Sequence, residues 1–235
     1  MRKSVRSAWI AFNAPFEGVC LHMYLDNRGL VTTGVGNLID PMELAEFLPF
    51  RKPSGMLATI AEIRAEWRTL KAKAVPEDTI QAWRKNHQDA PLPIQLLGGA
   101  DPSQQSVTTL RLRRQDIDVL AHRKLLQNEE ALRDRFGLSG WNQWPACAQL
   151  PTHSMAWAMG TNGFAGFPKF CAAARRQDFA AMAAECRVMP DRGTLRLRNA
   201  ANKALFLNAA RVVAEGLDPE LLIFDAPKPP PDEVA

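Results

Sequence analysis

From Lys3 to Phe12 the apolar residues Val5, Ala8, Ile10, Ala11 and Phe12 recur on one broad face, which predicts a short helix. Pro15 lacks a backbone donor and constrains Ala14, so the helix is expected to stop or kink there and leave Glu17 on a following turn. The period then changes. Val19 to Leu25 and Leu30 to Gly34 read as strands joined through Asp26-Asn27-Arg28-Gly29, a turn composition whose glycine accepts positive φ. Cys20 and His22 alternate with Leu21 and Met23 and so share one face of the first strand, while Thr32 and Thr33 fall on opposite faces of the second.

From Asp40 the pattern becomes helical almost throughout. Asp40-Pro41 combines an N-cap residue with a first-turn proline ahead of Met42, Leu44, Ala45 and Leu48. Ser54 to Ala74 follows with Ile60, Ile63, Trp67 and Leu70 roughly in phase, and Asp89 to Ser106, rich in Pro, Gly, Gln and Ser, reads as a long loop. Gln115 to Phe136 predicts a long helix with the stripe Ile117, Ala121, Leu125, Leu132 and Phe136. Trp141, Trp144 and Pro145 introduce a helix containing Met155, Trp157 and Met159; helices over Phe170 to Ala184 and Asn199 to Ala214 complete the set. Pro227 to Ala235 is expected to be a loose proline-rich tail. The fold class that results is α+β and mainly helical: a small N-terminal β-hairpin lobe and a larger helical C-terminal lobe. One domain is expected over 1–225, comprising the first helix and hairpin (1–50), a helical and loop segment (51–110) and a helical lobe (111–225), followed by the tail at 226–235.

Composition narrows the partners. With 235 residues and 46% hydrophobic content the chain is long and apolar enough to bury a substantial core. A formal charge of +4 favours approach to an anionic polymer. Nucleic acid is not expected, since Arg111-Leu112-Arg113-Arg114 is short and no aromatics are interleaved with a basic run. Cys20, Cys147, Cys171 and Cys186 are too scattered for a disulfide scaffold; in an oxidising compartment one or two bridges are open to them. Neither they nor His22, His87, His122 and His153 have metal-ligand spacing, so neither a metal nor a cofactor is expected. The N-terminal segment has a basic start but Asn13 and Pro15 interrupt its apolar run, so it does not read as a signal peptide. No apolar stretch is long enough to span a bilayer, so membrane insertion is not expected.

The chemistry is concentrated in a short segment. Glu17 stands at a helix end, Asp26 on a tight hairpin nine residues later and Thr32 six residues beyond that. Glycoside hydrolysis needs one carboxyl group to protonate the leaving oxygen and, in the inverting form, a second to activate a water on the opposite face of the sugar. Taken singly each residue has a plainer explanation: a solvated or capping Glu, a turn-forming Asp, a strand Thr. Taken together with Tyr24, Gly29, Gly34 and Gly36 at fixed spacing they make a constellation.

That constellation, from Glu17 and Gly18 through Tyr24, Asp26, Gly29, Thr32, Gly34 and Gly36, resembles the active-site hairpin of phage-type lysozymes, glycoside hydrolase family 24. Met159-Gly160-Thr161-Asn162-Gly163-Phe164-Ala165-Gly166-Phe167, followed by Asp178-Phe179, resembles that family's second signature. The resemblance implies a two-lobed lysozyme-like fold in which 51–110 is an insertion, and a peptidoglycan hydrolase that cleaves between N-acetylmuramic acid and N-acetylglucosamine with inversion, with the two carboxyl groups roughly 6.5 to 9.5 Å apart. It assigns Glu17 as general acid, its proton held by desolvation, and Asp26, ionised on its turn, as base or water-positioning group with Thr32 as hydroxyl partner. It places Leu38 and Trp157 at the substrate, and a basic residue of the C-terminal helices opposite the glutamate, for which Lys203 is the first candidate and Arg198 the second. Asn37 replaces a histidine common at that point. Phage endolysins and lysozyme-like effectors of contractile secretion systems both fit. Implied partners are therefore glycan strands, together with an immunity protein or delivery machinery; the enzyme would be made in the cytoplasm and act in the periplasm or on the wall after delivery. Two other readings remain open: an inactive wall-binding or structural module of lysozyme shape, and a lytic transglycosylase, which would use the glutamate without needing Asp26.

Overall fold

Pro15 does not end the first helix. In the computed structural model, which describes residues 1–26, 29–75, 77–86 and 108–224, α1 runs Lys3–Glu17 through Pro15. An interior proline costs a helix about 3 kcal/mol. Burial of a single large apolar side chain contributes about 1.5 to 3 kcal/mol, and α1 buries Val5, Trp9, Phe12 and Phe16. Packing therefore wins over the local break, and the helix ends where Gly18 takes a φ of +70°.

The chain divides into two units, one formed by Met1–Glu17 with His122 onward, the other by Gly18–Ala121, the second boundary falling inside the long helix at Arg114–Phe136. The fold is α+β and mainly helical, with one small antiparallel sheet among the described residues. α1 thus belongs with the C-terminal helices and packs on two of them.

In the unit of residues 18–121 the sheet has the order β1 (Cys20–Leu25), β2 (Val31–Gly34), β3 (Asn37–Leu38), the first two within a residue of the expected strands and the third an addition. Thr32 is the pivot of the register, opposite Tyr24 on one side and Leu38 on the other. Asp40 was expected to cap a helix. Instead α2 (Glu43–Glu46) starts later without a side-chain cap, and the Asp40 carboxylate accepts the Val31 N–H at 3.2 Å and Lys71 Nζ at 2.6 Å. α3 (Ile60–Lys71) opens on a reciprocal cap between Thr59 and Glu62, which sets its start well inside the expected 54–74. α3 packs on β1 and β2, burying Ile63 and Leu70. α4 (Glu77–Asn86) follows. The loop expected at 89–106 and the tail from 227 lie outside the described residues.

The other unit is built on α6 (Ala146–Met159), buried along almost its whole length and covered by α1 and α9 (Gly193–Ala214). α5 (Arg114–Phe136) matches expectation, and of its expected stripe Ile117, Ala121, Leu125 and Leu132 are buried while Phe136 is half-buried. The single helix expected over 170–184 is two, α7 (Pro168–Arg175) and α8 (Phe179–Glu185), separated where Gln177 takes φ 56° and Asp178 Oδ1 accepts the Ala181 N–H at 2.9 Å. Trp9, Trp141, Trp144, Phe164, Phe170 and Phe206 form the aromatic core.

Candidate functional site

Glu17 is the last residue of α1 and Asn13 stands one turn before it, so both side chains leave the same face of the helix. Arg198, near the start of α9, meets both. Its Nη2 donates to Glu17 Oε1 in a short ion pair, while Nη1 donates to Asn13 Oδ1 at 3.1 Å and to the carbonyl and hydroxyl of Ser154 on α6 at 3.1 and 3.2 Å. The Phe16 ring lies 4.7 Å from the guanidinium carbon, a cation–π contact that shields the group further. The exposures are unequal: the Arg198 side chain is 3% exposed and that of Glu17 is 27%.

Burial is the larger influence on both partners. It holds the Glu17 carboxyl above the ordinary glutamate value, against the charge and hydrogen bond of Arg198, which pull it down. It likewise holds Arg198 below its ordinary value, against the pull of Glu17. The result is a carboxyl group with raised proton affinity and one oxygen bonded to a fixed cation, a chemistry suited to proton donation.

On the sheet unit, Asp26 begins the hairpin loop. Its carboxylate Oδ1 accepts the Leu30 N–H at 2.9 Å, its own N–H donates to the Leu30 carbonyl, and its carbonyl accepts the Gly29 N–H, both at 2.9 Å. Residues 27 and 28 lie outside the described residues. Gly29, at φ +71°, is needed here because a Cβ would stand 3.3 Å from the Ala74 Cβ. The loop is held from α3: Lys71 Nζ donates to the Gly29 carbonyl at 2.8 Å as well as to Asp40. Thr32 is buried and its hydroxyl donates to the Leu30 carbonyl at 3.2 Å. Thr33 points the other way, as expected, its hydroxyl bonded to the His22 carbonyl at 3.0 Å. Asn37 Oδ1 accepts the Val35 N–H and closes the turn after β2. Leu38, opposite Thr32, is 49% exposed.

Of the remaining candidates, Trp157 is half-buried on α6 with its ring 4.9 Å from that of Trp9. Lys203 was the first choice for the cation opposite Glu17, and the structure corrects this: that position belongs to Arg198, while Lys203 is exposed further along α9 and its charge acts on Cys186. Cys20 Sγ does lie beside His22, 3.2 Å from Nδ1. Burial raises the thiol and lowers the imidazole, so the pair is neutral at pH 7 and does not form a thiolate nucleophile. All four cysteines are free thiols.

Asn13, Ser154 and Lys71 were not found from the sequence. An asparagine at the apolar-face position of a helix, four residues before a candidate acid, was the one available signal. No model of a known protein family matches the chain, and no curated protein matches it.

Proposed function

We propose that this chain is a peptidoglycan hydrolase with a lysozyme-like fold, a muramidase that cleaves the β-1,4 bond between N-acetylmuramic acid and N-acetylglucosamine. Glu17 is the general acid and gives its proton to the glycosidic oxygen. Asp26, with the Thr32 hydroxyl, directs the water that attacks the anomeric carbon, with inversion. Leu38 and Trp157 contribute apolar contacts to the glycan. The reading assigns no cofactor.

The observation that carries the reading is the half-shielded Glu17 carboxyl at the end of α1, whose burial outweighs the pull of Arg198 and favours the protonated form. The spacing of Glu17, Asp26 and Thr32 with the hairpin glycines supports it independently. Among the described residues no helix is long and apolar enough to cross a membrane. We assign the wall as the place of action, reached through lysis or a delivery machine, with an immunity protein as the expected partner if the chain is a secreted effector.

A second reading is favoured by one observation. Asp26 Oδ1 and the Thr32 hydroxyl are both engaged with Leu30 in holding the hairpin loop, which is what a purely structural pair would do. A lytic transglycosylase requires the glutamate alone. Incubation of purified sacculi with the wild-type chain and with Glu17→Gln tests the shared premise: the wild type clears the suspension and releases soluble muropeptides, the variant releases none. Clearing by Glu17→Gln, or binding to sacculi by the wild type with no release, contradicts it.

A further inference from the structure

Arg198 is a buried cation with two sets of acceptors. On one side is the Glu17 carboxylate; on the other are three neutral oxygens, Asn13 Oδ1, Ser154 O and Ser154 Oγ, all within 3.2 Å of the same nitrogen, Nη1. A guanidinium beside a carboxylate tends to bind it through two parallel N–H bonds, one to each oxygen. Here that arrangement does not form. Nη1 is committed to α1 and α6, only Nη2 reaches Glu17, and Glu17 Oε2 accepts no hydrogen bond from the described residues.

We propose that Asn13 and Ser154 are positioning residues: they clamp Nη1 so that Arg198 meets Glu17 end-on through one nitrogen, leaving the second carboxyl oxygen available to give a proton to substrate. The inference rests on the proposed role of Glu17 as the acid. It goes further in naming two neutral side chains, neither of which touches the reacting atoms, as the devices that keep the cation from locking the carboxylate in its ionised form.

The charges around Glu17 leave this device little competition. Arg198 on α9 is the charged group that acts on it; α1 contributes the neutral Asn13 and α6 the neutral Ser154. His153, adjacent to Ser154, is wholly buried between Trp9 and Trp141 and burial pushes it down to about 3, so it carries no charge at working pH. Each variant removes one of the three neutral acceptors of Nη1 while the Ser154 carbonyl remains, so the clamp weakens and the balance shifts toward the carboxylate, the charged acceptor of the same guanidinium.

The test is a titration of the Glu17 side-chain carboxyl by carbon-13 NMR, its signal assigned by its absence from Glu17→Gln, in the wild type, Asn13→Leu and Ser154→Ala. Both variants are expected to lower the Glu17 pKa, by about half a unit or more, a threefold shift in its protonation equilibrium. The alkaline limb of kcat on sacculi moves to lower pH by the same amount, with KM little changed. An unchanged or raised Glu17 pKa in the variants that fold overturns the inference, and if Asn13→Leu does not fold, Ser154→Ala decides alone. The titration needs no substrate. Failure of the wild type to release muropeptides therefore counts against the hydrolase reading, whereas an unmoved titration counts against the clamp.

Discussion

Arg198 and Glu17 are joined across two helices by a single guanidinium nitrogen, and burial opposes the charge on each of them. The pair is therefore held by its surroundings as much as by its own attraction. An ion pair that loses hydration on both sides gains little net stability from being charged, which fits a site arranged for proton transfer better than one arranged for strength.

Glu17→Gln is expected to change how stability depends on pH: whatever the loss of the carboxylate from the buried Arg198 costs, the variant gains on the wild type as pH rises. The folded-state pKa of Glu17 is raised, so the folded chain binds its proton more tightly than the unfolded chain does. That contribution is fully present below the ordinary glutamate value and is lost as pH rises through the folded one. The glutamine stays neutral throughout, so the Tm of the variant minus that of the wild type should rise between pH 4 and pH 7. A difference that is constant across that range, or that falls as pH rises, contradicts the burial argument.

Arg198→Met removes the cation but keeps much of its apolar stem. It leaves Glu17, Asn13 and Ser154 without their shared donor, and breaking a buried pair in this way costs about 3 kcal/mol or more. Urea unfolding measures the loss. The Glu17 carboxyl, freed of its positive neighbour, should titrate at a still higher pH.

Sequence periodicity went furthest where burial is regular. The stripe of α5 was legible because Ile117, Ala121, Leu125 and Leu132 all face a core, and the two hairpin strands because their alternation is closed by a turn. It failed where a distant partner decided the outcome. Pro15 is carried inside α1 by the burial of Phe16, and Asp40 is drawn from a capping role by Lys71, 31 residues away. The cation opposite Glu17 was misassigned for a related reason. With α9 expected from Asn199, Arg198 stood outside the helix, but the helix begins at Gly193 and its first turns bury that side chain. Of the candidate site, the place of Glu17 at a helix end and the hairpin were readable; the buried acceptors Asn13 and Ser154 were not, because a polar residue inside a core leaves no periodic trace.

Lys71→Met should loosen the loop that carries Asp26. It removes the hydrogen bond to the Gly29 carbonyl and one of the two donors, Lys71 Nζ and the Val31 N–H, that meet the Asp40 carboxylate among the described residues. The expected cost is about 1 to 3 kcal/mol. Hydrogen exchange at the Gly29 and Leu30 amides should accelerate relative to those of α9, and equal protection in the two proteins would show that the loop holds itself.

Gly34→Ala should destabilise the sheet unit. Gly34 has a φ of +67°, and an added Cβ would stand 2.7 Å from Asn37 Oδ1, the oxygen that closes the turn after β2. Backbone strain and the displaced side chain together should cost about 1 to 3 kcal/mol. The urea midpoint reads the loss, and a stability equal to the wild type would mean that the turn relaxes without penalty.

The most direct measurement is the mass of the products released from purified peptidoglycan. A hydrolysing muramidase adds water at the cut and yields muropeptides with reducing N-acetylmuramic acid ends, and the release should disappear in Glu17→Gln. Products bearing anhydro ends, or no soluble products from the wild-type chain, would contradict the account.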